Sequence, residues 1–174
     1  MAEAHPEDPC LSSFQQELDY ILRTLRRLGV PPSDVEDMAH DLFLVLRRKW
    51  AEYDPARPLR PYLFGIAFRL VGAQQRKRIR ESLRLAKVVD QLEVVHPELA
   101  LQAKQARSLV LAALERIPLT RRAVLVMRDI DDAPMHEVAA TLSIPLFTAY
   151  SRLRKARKEL ALVIRRMVDR EEPI

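Results

Sequence analysis

The side chains whose types and spacing suit chemistry here are bases, acids and aromatics at helical intervals, and they suit recognition of a polyanion rather than bond making. Residues 134 to 158 set a short apolar-periodic segment against a longer basic one across a three- to four-residue turn, which is helix-turn-helix spacing. Val138, Leu142, Ile144, Ala149 and Leu153 form the shared core, and Ala139 is small enough for a close helix crossing. In such a motif the early residues of the second helix reach base edges in the major groove, and flanking bases hold phosphates. Tyr150, Ser151, Arg154 and Lys155 are then base-reading candidates, and Thr148, Arg152, Arg157 and Lys158 backbone-positioning ones. The turn carries Ser143 where glycine is usual.

A second basic cluster holds Arg76, Lys77, Arg78, Arg80, Arg84 and Lys87 against the single acid Glu81. Two separated electropositive segments suit a long polyanion, because each phosphate contact releases condensed counterions. Two solvated helix faces would have the same composition. Asp34, Asp37 and Asp41 recur three and four residues apart on one helical stripe with His40 beside it. Carboxylates so close repel one another, so the stripe meets either water or a basic partner. Phe43, Trp50, Tyr53, Tyr62, Phe64 and Phe68 crowd around the loop 53–60. Most suit a core, while exposed aromatics beside arginines form a platform for unpaired bases.

Catalytic and metal-binding patterns are missing from the sequence. His5, His40, His96 and His136 lie far apart and match no zinc spacing, and there is no glycine-rich phosphate loop or nucleophile elbow. No catalytic residue, metal or cofactor is therefore expected. Lone Cys10, placed in a polar N-terminal tail, excludes an internal disulfide and suits a reducing cytoplasm. Acidic residues near the start and the lack of a long apolar run point away from a secretion signal or membrane span.

The elements that must position these groups are helices. The chain has 174 residues, 30% charged, with only three glycines, which favours helix over turn-rich sheet. Prolines punctuate apolar-periodic stretches. Helices are expected over 11–28, with Leu18, Ile21, Leu22, Leu25 and Leu28 inward and Gly29 as cap, then over 33–50 and 59–80. Four more follow over 97–116, 119–129, 134–142 and 146–168. The weakly patterned stretch 81–96 is the expected linker. The expected architecture is all-α, with two small helical domains at 11–80 and 97–168 and the helix-turn-helix at 135–154.

The stretch Leu111-Ala-Ala-Leu-Glu-Arg-Ile-Pro-Leu-Thr-Arg-Arg-Ala-Val-Leu-Val-Met-Arg128, the helix-turn-helix and Ser151-Arg-Leu-Arg-Lys-Ala-Arg-Lys-Glu-Leu160 resemble domain four of bacterial sigma factors of the extracytoplasmic-function (ECF) kind. The helix from Asp34 to Trp50 resembles the core-binding segment of sigma domain two. The resemblance implies that the C-terminal module reads the minus-thirty-five promoter element and contacts the polymerase flap. It also implies that Asp34, Asp37, His40 and Asp41 dock on the clamp helices of core RNA polymerase. By the same resemblance Tyr53, Arg57, Arg60, Arg69, Arg76, Lys77, Arg78 and Arg80 contact the minus-ten region and the strand opened there. Tyr53 and Arg57 would wall the pocket for a flipped base.

Family members often carry asparagine and aspartate where this chain has Arg69 and Ala73, so the minus-ten sequence does not follow from the match. The implied protein is an alternative sigma factor in the cytoplasm, partnered by core polymerase, promoter DNA and a membrane-associated anti-sigma factor that holds it at the inner membrane face. Two other readings stand beside it. One is a free-standing helix-turn-helix regulator, which would ordinarily dimerise on two half-sites. The other is a sigma mimic that titrates an anti-sigma factor.

Overall fold

The computed structural model describes residues 8–85 and 102–169. Among the described residues the elements are helices joined by short turns: α1 (Pro9–Gln16), α2 (Leu18–Arg27), α3 (Val35–Lys49), α4 (Leu59–Leu85), α5 (Gln102–Glu115), α6 (Leu119–Leu125), α7 (Met135–Thr141) and α8 (Leu146–Val168). Residues 81–85 continue α4, while 86–96 of the expected linker and the first turns expected for the next helix lie outside the described residues.

The single helix expected over 11–28 is two. Pro9 opens α1 behind Asp8, whose carboxylate accepts the Cys10 N–H at 3.0 Å. The chain then bends at Glu17 (φ −100°, ψ 6°) before α2 begins. The bend turns Leu18 outward to 37% exposure, against the inward position its spacing predicts, and restarts the buried stripe at Tyr20, Ile21, Thr24 and Leu25. It also folds α1 back, so that Cys10 is 1% exposed in the core rather than in a polar tail.

Helix α2 ends as the glycine predicts. Gly29 adopts φ +87°, its N–H donates to the Arg26 carbonyl, and the Val30 N–H donates to the Leu25 carbonyl. These are the paired bonds of a Schellman cap, and Leu25 and Val30, the two apolar residues at its ends, are both buried. In α3 the buried set is Val35, Met38, Ala39, Leu42 and Leu46, an i, i+3, i+4 stripe facing α2 and α4. Acids in its first turn and Arg47, Arg48 and Lys49 in its last complement the helix dipole. Helix α4 buries Leu63, Phe64, Ile66, Ala67 and Val71.

In the C-terminal half Pro118 precedes α6, and Ala123 to Met127 are all buried. A segment surrounded on every side has no single apolar stripe, and α6 packs on α8 while widening into a π turn at Val126–Ile130. The helix expected to run to 129 thus changes its winding near Val126.

The two halves share one apolar cluster and are tied by polar bonds. Arg122, 4% exposed, donates to the Leu28 carbonyl at 2.7 Å and to the Ile117 and Glu115 carbonyls of its own half. It thereby satisfies the carbonyl of Leu28, the C-cap of α2, which lacks a helical partner. Burial pushes its guanidinium down to about 10, against a raising contribution from the Glu115 charge. Asp131 accepts the Tyr20 hydroxyl at 3.0 Å and an Arg27 N–H at 3.1 Å. Burial raises its carboxyl above the usual range, an effect opposed by Tyr20 and Arg27.

Candidate nucleic-acid interface

Helices α7 and α8 cross over Val138, Ala139, Leu142, Ala149, Leu153 and Ala156, all buried, with Ile144 packed at the edge. The turn repeats the cap seen after α2, but with serine at the left-handed position. Ser143 has φ +53°, its N–H donates to the Ala140 carbonyl at 3.1 Å, and the Ile144 N–H donates to the Ala139 carbonyl at 3.0 Å. An L side chain there costs about 1–2 kcal/mol. Pro145 then opens α8 without a side-chain cap.

The outer face of α8 carries the expected readers unequally. Arg154, Lys155 and Lys158 are exposed, Tyr150 is 54% exposed, and Thr148, Ser151 and Arg152 are half-buried. Arg157 is held by a two-pronged pair to Asp129, at 2.9 and 2.7 Å. Sequence reasoning passed over Phe147. It is 85% exposed in the first turn of α8, beside Leu146, which is also exposed. The only signal was register: Phe147 lies three and seven residues before Tyr150 and Arg154, on their face.

The second candidate surface surrounds the loop before α4. Tyr53 is stacked on Trp50 and tilted against Tyr62, with ring centroids at 5.3 and 5.1 Å, and its hydroxyl donates to the Arg57 carbonyl at 2.6 Å. Burial and the nearby Asp54 charge raise its phenol. Arg57 is exposed and pairs loosely with Asp54 at 3.5 Å. Arg60 pairs with Glu17 at 2.8 Å and lies over the Tyr20 ring at 5.1 Å, fastening α4 to α2. Arg69 is exposed at a groove shared by Tyr53 and Tyr62 with His136 and Thr141 of α7. At Gly65 a Cβ would lie 3.5 Å from Thr141, so α7 rests directly on α4. Arg76 and Arg80 are exposed, Lys77 pairs with Glu81 at 3.9 Å, and Arg78 pairs with Asp34.

That last pair divides the acidic stripe. Asp34 is engaged by Arg78 and Ser33, while Asp37, His40 and Asp41 are exposed together with Glu36, which the sequence pattern did not single out. Among the described residues no group of three His, Cys, Asp or Glu side chains is placed to hold a metal. No helix among them is long and apolar enough to cross a membrane.

Comparison with known proteins matches residues 14–81 to the sigma-70 region 2 family and residues 107–160 to sigma-70 region 4. The chain is 26% identical over 153 residues to the RNA polymerase sigma factor CnrH of Cupriavidus metallidurans, covering 83% of this chain and 80% of that protein. It is 27% identical over 151 residues to the ECF RNA polymerase sigma factor SigE of Mycolicibacterium smegmatis, covering 84% of this chain and 58% of that protein. In fold it resembles the sigma factor RpoE of Bartonella quintana, solved with the anti-sigma factor NepR, with a TM-score of 0.68, 23% identity, and coverage of 88% and 98% of the two chains. It also resembles CnrH solved with the cytosolic domain of CnrY, with a TM-score of 0.60, 20% identity, and coverage of 94% and 89%.

Proposed function

This chain belongs to the sigma-70 family of RNA polymerase sigma factors, in the extracytoplasmic-function group that serves transcription initiation, and on that premise we infer that it addresses core polymerase to promoters by reading two DNA elements. The exposed face of α8 enters the major groove of the upstream, minus-thirty-five element. The loop around Tyr53 and Arg57, with Arg69, Arg76 and Arg80, engages the minus-ten region. Asp37, His40, Asp41 and Glu36 form the acidic face that docks on the polymerase clamp. The single observation that carries this reading is one chain presenting both an exposed basic recognition helix and, on α3, an exposed acidic face.

The roles separate by side-chain availability. Arg154, Lys155 and Lys158 are free to reach bases and phosphates, whereas Arg60 and Arg78 already bind carboxylates of their own chain and serve the fold first. The polymerase supplies the chemistry and this chain supplies the address. Reading both elements at once also requires a rearrangement. Minus-ten and minus-thirty-five lie about 25 base pairs apart, about 85 Å at about 3.4 Å per pair, and a chain with α7 resting on Gly65 of α4 cannot span that distance. We place the chain in the cytoplasm and assign it an anti-sigma partner, by analogy with the RpoE–NepR and CnrH–CnrY complexes of those two sigma factors.

Multi-round transcription of a genomic fragment pool, by core polymerase with and without this protein, tests the assignment. New start sites preceded by two shared sequence blocks are expected. Arg154→Ala or Lys155→Ala should weaken use of the upstream block while core binding persists. Core binding without any new start site would leave a sigma mimic as the better description.

A further inference from the structure

Helix α8 begins on a side chain that neither a stable core nor a phosphate explains. Phe147 is 85% exposed and Tyr150 54%, and both line one shallow groove on α8 with Ser151 and Arg154. A phenyl ring in water is a cost unless something apolar covers it. Arg154 shares this groove and Lys155 follows it on α8, both exposed, and they suit an anionic surface rather than an apolar one. Pro145 provides no side-chain cap for α8, so first-turn N–H groups are available to a phosphate oxygen. An apolar tip inside a basic, anion-seeking rim calls for a polyanion that carries an apolar feature. In the major groove that feature is the C5-methyl group of thymine, which a phenylalanine can contact without any hydrogen bond.

We propose that Phe147 is a specificity residue of the recognition helix and that it reads a 5-methylpyrimidine in the upstream promoter element. The proposal rests on α8 being the upstream reader. Register supports the placement. Phe147, Tyr150, Ser151 and Arg154 fall at i, i+3, i+4 and i+7, so they track along one groove. Arg154 and Ser151 hydrogen-bond base edges, while Phe147 at the leading end selects by surface alone. Burying one methyl is worth a binding factor of roughly four, enough to favour thymine over cytosine at one position without governing overall affinity. Thymine and 5-methylcytosine share the group read, and uracil lacks it.

The test uses holoenzyme assembled from core polymerase and the full chain. Duplexes randomised across the upstream promoter segment are selected by binding, and the selected duplex is resynthesised with each thymine in turn replaced by uracil. Wild type should lose about fourfold in occupancy at one such position, and 5-methylcytosine there should bind better than cytosine. Phe147→Ala should abolish both differences while the salt dependence, which counts phosphates, stays unchanged. Phe147→Leu should keep part of the methyl preference. The proposal is overturned if uracil is silent at every position in wild type, or if the methyl effect persists in Phe147→Ala. It is also overturned if Phe147→Ala loses affinity for core polymerase rather than for DNA, which would make the ring a protein contact. Selection of no upstream sequence by wild type would instead refute α8 as the promoter reader. Altered selection by Arg154→Ala with none by Phe147→Ala would leave that reading standing and remove Phe147 from it.

Discussion

Replacing Arg122 with methionine keeps most of the buried stem and removes every donor of the guanidinium, which bonds Leu28 across the two halves and Glu115 and Ile117 within its own. These bonds to carbonyls measure between 2.6 and 3.1 Å. A charged donor is worth about 2 kcal/mol to each carbonyl it satisfies, about 6 kcal/mol for the three together. Against this stands the cost of burial, which has lowered the group from 12.5 to about 10, a penalty of about 3 kcal/mol. Arg122→Met should therefore destabilise by about 3 kcal/mol. Gly29→Ala attacks the same contact from the other side. Its Cβ would collide with Arg122 Nη1, and φ is +87°. The backbone strain alone costs about 1–2 kcal/mol, and displacing Arg122 from Leu28 adds about 2 kcal/mol. With methionine at 122 only the strain remains, so the double mutant should fall short of the summed single costs by about 2 kcal/mol. Urea unfolding followed by circular dichroism and by Trp50 fluorescence measures all four proteins. Additivity within about 0.5 kcal/mol, or a cost below about 1 kcal/mol for Arg122→Met, would show that the buried guanidinium does not hold the halves together.

Ser143→Gly should stabilise the protein by about 0.5–1 kcal/mol, because φ +53° is unstrained for glycine and the gain exceeds the added chain entropy; an unchanged or lowered Tm would contradict this. Asp129→Asn releases Arg157 from its two-pronged pair, so the salt dependence of promoter binding should steepen by about one phosphate's worth, about 0.9 in the log–log slope. Burial holds the Asp131 carboxyl above its unfolded value, so the folded chain binds more protons there and this group's contribution favours folding below the unfolded value, fading as pH rises. Stability profiles of wild type and Asp131→Asn should accordingly diverge in favour of wild type as pH falls from neutral toward about 4, and convergence would reverse that sign. Cys10, buried and with its thiol raised by burial and by Asp8, should resist thiol reagents in the native protein and react promptly in urea; fast native labelling would place α1 off the core.

The helices of α3, α7 and α8 were legible because each has a one-sided apolar stripe, and a stripe is a local property of spacing. Gly29 and Ser143 were legible for a related reason, since a left-handed cap depends on its own residue and its neighbours. The bend at Glu17 was not, because nothing in 11–28 breaks the period; only the docking of α1 on α3 rewards turning Leu18 outward. Five consecutive buried residues, Ala123 to Met127, run from α6 into the π turn and erase any stripe, so the change of winding left no mark in the spacing.

The recognition surface divides in the same way. Its basic character and its position on a second helix followed from the order of residues alone, as did the family. Which bases are free did not. Arg157, Arg60 and Arg78 look like Arg154 in the sequence, yet their partners Asp129, Glu17 and Asp34 lie far from them along the chain, and an ion pair forms only when folding brings them within reach. Phe147 shows the converse, because apolarity predicts burial only on average and exposure is decided by what packs against a residue. The sequence by itself determined most of the helices, the motif and the sign of the charge. Tertiary structure decided which of those charges, and which aromatic ring, remain exposed on the outer face of α8.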